Sequence, residues 1–125
     1  MLMPEEAHVE ESLGTVRISP QVLATIARLT TLSVPGVSRM YHDLSSGVDR
    51  ILKGKGAADG VRIQVVDDAV GIDLFVVAEK DTDLYALGRS VQTSVSRAVK
   101  DMVGMPVLSV NIHVEDVEIS PTDEE

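Results

Sequence analysis

Apolar and polar residues alternate most regularly over residues 60–80, in two runs separated by the polar pair Asp67-Asp68. The first run has aliphatic residues at positions 61, 63 and 65, and the second has them at every even position from 70 to 78. Alternation with a period of two is typical of strands that bury one face, and a short polar break between two such runs favours a tight turn. The pattern therefore predicts a β-hairpin at the centre of the fold.

The apolar faces of this hairpin match only if its loop has an even number of residues, because a slip of one residue turns a whole face outward. A two-residue loop at Asp67 and Asp68 places Arg62 opposite Asp73 and would allow a cross-strand ion pair. A four-residue loop would place Gln64 opposite Asp73 instead. We favour the two-residue loop.

Helical spacing of apolar residues predicts one amphipathic helix on each side of the hairpin. The first begins at Ser19-Pro20, because serine can cap the free amides and proline at the first position gives up only an unpaired N–H. It ends before Pro35. The second begins at residues 81–83, whose side-chain oxygens can cap it, and ends at Gly104.

Two outer strands complete the predicted order. Residues 14–19 alternate, with Val16 and Ile18 on one face, and predict a first strand; residues 107–114 alternate and predict the last. After residue 114 the apolar positions change parity, which indicates a bulge or a second strand that pairs elsewhere. Residues 37–60 have the weakest pattern, and we expect a short strand at 37–41, then one or two helical turns and a loop.

The predicted fold class is α+β: a two-layer sandwich with the order strand, helix, strand, strand, helix, strand. Two helices cover one face of a mainly antiparallel four-stranded sheet. We expect a flexible acidic tail at residues 1–13, a single domain at 14–119 and an acidic tail at 120–125. The uncovered face is the candidate interaction face, and its predicted residues are Arg17, Arg62, Gln64, Asp73, Phe75, Val77, Asn111 and His113.

Composition and charge narrow the function classes. The formal net charge is −9, but residues 1–12 hold four acids and residues 115–125 hold six, with no Lys or Arg in either, so the body is close to neutral. Absence of cysteine excludes disulfides and thiol chemistry. No apolar run is long enough to span a membrane, and the acidic start does not resemble a signal peptide. We therefore expect a cytoplasmic protein without direct membrane insertion.

Catalytic and metal-binding patterns are weak throughout. His8, His42 and His113 are scattered, and residues 54–56 lack the spacing of a phosphate loop. The adjacent acids of the hairpin loop suit a turn better than a carboxylate pair. One Phe and acidic ends argue against a nucleic-acid-binding sheet, which uses exposed aromatics and a basic face. We predict no catalytic, cofactor or metal site, and hence a protein that is not an enzyme.

Several short segments, taken in order, resemble the alkaline shock protein and general stress protein family of Gram-positive and related bacteria. The resemblance covers about residues 14–119. It rests on Gly-Thr-Val-Arg-Ile-Ser from position 14, Ser-Val-Pro-Gly-Val from 33, Gly-Val-Arg-Ile from 60, Ile-Asp-Leu from 72, Val91-Gln92 with Val95, Met-Val-Gly-Met-Pro-Val from 102, and Val-Asn-Ile-His-Val from 110.

This resemblance implies a non-enzymatic interaction or scaffold protein in cell-envelope or general stress physiology. Such a protein acts by self-association and by binding partner proteins. It implies a homo-oligomer and a membrane-anchored protein partner, which would hold the chain at the inner face of the membrane. The alternative it implies is a small-ligand-sensing regulatory domain that modulates a neighbouring fatty-acid-kinase-like enzyme. It carries over no catalytic residue.

Overall fold

The computed structural model describes residues 13–42 and 59–119. In chain order their elements are helix α1 (Pro20–Leu32), strand β1 (Val37–Met40), strand β2 (Val61–Val66), strand β3 (Ala69–Glu79), helix α2 (Leu84–Val103) and strand β4 (Val107–Glu118). None of these helices is both long and apolar enough to cross a bilayer.

Strand β3 is the centre of the sheet. Strand β4 pairs with it in parallel along one edge, while β1 and β2 pair with it antiparallel along the other. The two shorter strands follow one another on that edge and meet opposite Phe75. The N–H of Tyr41 donates to the Phe75 carbonyl at 2.8 Å, and the N–H of Phe75 donates to the Gly60 carbonyl at 2.8 Å. The chain thus leaves the sheet after β1 and returns to it before β2 beside the same residue of β3, Phe75.

Both helices pack on one face of this sheet, so the predicted α+β two-layer class is confirmed. Even-numbered residues of β3 from Val70 to Ala78 form a single aliphatic core with Leu23 and Ala27 of α1 and with the apolar stripe of α2. The members of that stripe, Leu87, Val91, Val95 and Val99, are all buried. Two of the three strand pairings are antiparallel, so the sheet is mainly antiparallel.

The predicted element order is wrong at its start, because residues 14–19 form no strand. Val16 is 90% exposed and Ile18 is 42% exposed. Strand β1 supplies the fourth strand instead, at the position where the sequence predicted a short one. The reason is topological: β1 and β2 fill one edge of β3 and β4 fills the other, which leaves residues 14–19 without a place beside β3.

The hairpin has the favoured two-residue loop, since Val66 pairs with Ala69 and Arg62 pairs with Asp73. Asp67 has a φ of 56°, which is the left-handed conformation of such turns. The change of parity in β4 is a register shift, because Val76 pairs with Val114 but Val77 pairs with Asp116. The same strand continues past the shift, so a second strand is not needed.

Helix ends lie where the local signals place them. The Ser19 side chain accepts from the Val22 N–H, and the Asp83 side chain accepts from the Ala86 N–H. Gly104 ends α2 with a φ of 80°. The predicted acidic tails apart from Leu13, the helical turns expected near residues 48–52, and most of the predicted loop lie outside the described residues. The domain limits stay a prediction.

Candidate functional site

The face of the sheet opposite the helices brings together six of the eight predicted residues. Odd-numbered residues of β3 alternate away from the core, and pairing aligns them with β2 and β4. Asp73 lies between Arg62 and Asn111, and Phe75 pairs with His113. We call the set formed by Arg62, Asp73, Phe75, Asn111 and His113 the outward cluster; the sixth residue, Gln64, is exposed on the same face.

An aromatic stack lies at the middle of the outward cluster. The Phe75 ring and the His113 imidazole have centroids 4.4 Å apart and planes 12° apart. The Arg62 guanidinium carbon lies 5.6 Å from the centroid of the Phe75 ring. A cation at this distance over a ring is attracted by the electrons of the ring face. Arg62 therefore contacts Phe75 and forms no ion pair with Asp73, so the cross-strand ion pair expected from the register is wrong.

Asp73 holds the polar end of the cluster. Its Oδ1 atom accepts a hydrogen bond from Asn111 Nδ2 at 3.2 Å and lies 3.1 Å from His113 Nε2. The Asp73 side chain is 22% exposed, whereas that of His113 is 41% exposed. The imidazole is thus fixed by a ring on one side and a carboxylate at its edge. This arrangement presents a rigid amphipathic surface.

Two predicted residues do not belong to this exposed surface. Val77 lies on the outward side of β3, yet it is 0% exposed. Arg39 of β1 pairs with Val77, and its Nε atom lies 3.4 Å from Oε1 of Glu118 in β4. The Arg39 side chain therefore reaches across β3 to the Glu118 side chain. Arg17 lies in the exposed stretch before α1, because residues 14–19 form no strand. Val77 is therefore buried rather than exposed on the outward face, and Arg17 is not part of the sheet.

The sequence did not predict a groove of about 720 Å³ between α2 and the outer side of β4. Its lining is mostly polar: Arg89, Gln92, Thr93, Ser96, Arg97, Lys100, Asp101, Val107, Leu108, Ser109 and Val110. Gln92 Nε2 donates to the Val110 carbonyl at 3.0 Å and ties the helix to the strand. Arg89, Arg97 and Lys100 lie off the apolar stripe of α2, as helical spacing requires, but no local signal in the sequence indicates that β4 lies beside them.

Within residues 13–42 and 59–119, no three His, Asp or Glu side chains are grouped to hold a metal ion. Asp67 and Asp68 form the hairpin turn, as predicted. His42 lies 3.6 Å from Asp59, where the chain leaves and rejoins the sheet. His8 and residues 54–56 lie outside the described residues.

Comparison with known proteins shows first the fold and then the family of this chain. The fold is also found in a solved structure of a MamM CTD variant, which is 14% identical, has a TM-score of 0.50, and spans 80% of this chain and 100% of that chain. A family model matches residues 8–119 and is described as having a cell envelope-related function. The chain belongs to that family, the alkaline shock protein 23 family, which confirms the resemblance seen in the sequence.

Two relatives illustrate how far this similarity extends. The uncharacterized protein YqhY of Bacillus subtilis is 25% identical over 118 residues, which cover 94% of this chain and 87% of the relative. The uncharacterized protein Spy1535 of Streptococcus pyogenes is 31% identical over 109 residues, which cover 86% of this chain and 81% of the relative. Each match covers most of both chains.

Proposed function

We propose that this protein is a non-enzymatic interaction or scaffold protein of the cell envelope and of general stress physiology. It acts by self-association and by binding partner proteins, and it does so through the outward cluster. The observation that carries the proposal is the Phe75–His113 stack, which lies on the sheet face that no described helix covers. A family with a cell envelope-related function supports the physiological setting.

The chemistry of the cluster suits a protein partner. Interface centres are enriched in aromatic residues and arginine, because these side chains bury large areas and still form polar contacts. Phe75 and Arg62 provide both in adjacent positions. Asp73 and Asn111 provide an acceptor and donors at the rim of the stack. The cluster contains no serine, cysteine or lysine nucleophile, and its aromatic, cationic and amide groups suit binding.

The partner that fits this setting is a membrane-anchored protein. A cytoplasmic protein that works at the envelope and docks to such a partner lies at the inner face of the membrane. The outward cluster leaves both helices on the opposite side of the sheet, so a partner can cover the cluster without displacing the core.

Small-ligand sensing is the second candidate, and the groove beside β4 is the observation in its favour. Arg89, Arg97 and Lys100 give it positive charge that an anionic metabolite could use. A thermal-shift screen with acyl phosphates and inorganic phosphate separates the two candidates. The interaction protein is expected to show no reproducible shift, whereas a sensing domain would be stabilised by its ligand.

Sedimentation of the Phe75→Arg variant tests the proposed face. We expect the wild type to form a defined oligomer. The variant should lose the contact that the outward cluster makes between copies, and its circular dichroism should keep the wild-type helical signal. Tyr85→Arg is the matched control, because Tyr85 is 78% exposed on α2 and lies away from the outward face. A wild type that stays monomeric at high concentration, with no partner recovered by cross-linking in native cells, contradicts the proposal.

A further inference from the structure

Residues 13–19, which we call the arm, form an exposed apolar segment in front of α1. Leu13 is 85% exposed, Val16 is 90% exposed and Ile18 is 42% exposed. The arm has the alternation of a strand, and Ser19 at its end has an extended backbone with φ −74° and ψ 153°. Three large apolar side chains exposed within six residues form a candidate contact surface. The arm has the sequence of a strand but no partner strand among the described residues.

Strand β4 offers a place for such a strand. It is an edge strand of 12 residues, and within the described part of the chain it pairs with β3 alone. A long open edge has unpaired N–H and C=O groups that can accept a strand from another chain. Leu108, which lines the groove at this edge, is 62% exposed. The edge therefore has both the backbone groups and an apolar side chain to receive the arm.

The charges of the groove and of the residues before the arm also favour a contact between the arm and β4. The groove beside β4 carries the cations Arg89, Arg97 and Lys100 against the single acid Asp101. Residues 1–12, which precede the arm in the chain, contain four glutamates and no Lys or Arg. An acidic segment that leads into an apolar strand thus complements a basic groove whose lining includes an exposed leucine.

We propose that the arm of one copy adds as a strand to the open edge of β4 in a second copy. Val16 and Ile18 cover Leu108, and the negative charge of the residues before the arm complements the cations of α2. Reciprocal exchange of the two arms makes a closed dimer with two-fold symmetry. This contact is separate from the outward cluster and does not depend on it.

The position of the arm favours binding to the groove of a second copy over binding to the groove of its own chain. Helix α1, which follows the arm, packs against β1, β2 and α2. The groove lies between α2 and the outer side of β4. In its own chain the arm is exposed. The open shape of the groove also favours a strand over a small ligand, since small-molecule sites usually enclose most of the ligand surface.

Cysteine cross-linking tests this contact directly, because the chain contains no native cysteine. In the full-length protein we expect the double variant Val16→Cys with Leu108→Cys to form a covalent dimer under mild oxidation. The double variant Val16→Cys with Tyr85→Cys is the matched control and should remain monomeric on a non-reducing gel. A cross-link that forms within one chain, or no cross-link above the control, overturns the proposal.

Charge reversal provides the second measurement. Arg97→Glu with Lys100→Glu should raise the dissociation constant of the dimer at least tenfold in sedimentation equilibrium. Adding Glu10→Lys and Glu11→Lys to that variant should restore most of the affinity. If the groove variant keeps the wild-type dissociation constant, or if the added lysines weaken association further, the arm does not occupy the groove.

The Phe75→Arg variant distinguishes failure of this proposal from failure of the proposed function. When Phe75→Arg is added to the Val16→Cys with Leu108→Cys variant, the cross-link should still form. The contact between copies through the outward cluster should be lost. Loss of the cross-link in that variant, with the fold intact, shows that dimerisation depends on the outward cluster and overturns the arm exchange.

Discussion

The Phe75 ring stacks on the His113 imidazole across the parallel strands β3 and β4, with 4.4 Å between centroids. Asp73 Oδ1 lies 3.1 Å from Nε2 of the same imidazole, so the His113 ring is held both at its face and at its edge. A double-mutant cycle of Phe75→Leu and His113→Ala should give a coupling energy of about 0.5–1.5 kcal/mol in urea unfolding. Additive effects would show that the rings merely lie near each other.

Val77 contributes to stability rather than to binding. It is 0% exposed, whereas Val66 on the same side of the hairpin is 53% exposed. Val77→Ala should lower the free energy of unfolding by about 2 kcal/mol, because it leaves a cavity between packed side chains. Val66→Ala is the control and should cost less than about 1 kcal/mol. Equal effects of the two substitutions on the urea midpoint would contradict the burial of Val77.

Gly60 is required where β2 follows β1. It has a φ of 77°, and a Cβ atom there would lie 2.8 Å from the Phe75 carbonyl oxygen and 3.0 Å from that of Tyr41. Gly104 has a φ of 80°, but a Cβ atom there would meet nothing within 4 Å. Gly104→Ala should therefore cost only the left-handed strain of about 1–2 kcal/mol. Gly60→Ala should lower the free energy of unfolding by about 1–3 kcal/mol more than Gly104→Ala, because the added methyl group is crowded.

Thermal unfolding of the two glycine variants measures this difference. The lower melting temperature should belong to Gly60→Ala, provided that both variants have the wild-type circular dichroism at low temperature. Similar melting temperatures would mean that the β1–β2 junction relaxes around the added methyl group.

Asp83 begins α2 by accepting the Ala86 N–H at 3.0 Å. Asp83→Ala removes the cap and should lower the free energy of unfolding by about 1 kcal/mol. Asp83→Asn keeps an oxygen for the cap and loses only the favourable charge at the helix start, which is worth about 0.3–1 kcal/mol. Chemical unfolding should rank the stabilities as wild type, then the asparagine variant, then the alanine variant.

Local signals predicted the parts of the fold that local contacts decide. The hairpin register and the ends of both helices depend on neighbouring residues such as Asp67, Ser19 and Asp83, so the sequence was sufficient. The choice between residues 14–19 and 37–40 as a strand depends on which segment reaches β3. That choice is made by distant parts of the chain, and alternation alone cannot reveal it.

The candidate site shows the same division. Strand parity predicted that Asp73, Phe75, Asn111 and His113 lie on the uncovered face of the sheet. It could not predict that Arg62 would lie over a ring, that Val77 would be buried, or that α2 and β4 would enclose a groove. Each of these depends on the lateral packing of side chains from separate elements.

The break between β1 and β2 has a practical consequence. His42 and Asp59 lie 3.6 Å apart at their closest side-chain atoms, so the residues between them begin and end at nearly the same point. The backbone pairings of the described strands begin and end outside this segment, so they do not fix its length. We expect a reporter peptide spliced between His42 and Asp59 to leave those pairings formed, with the wild-type circular dichroism as the readout.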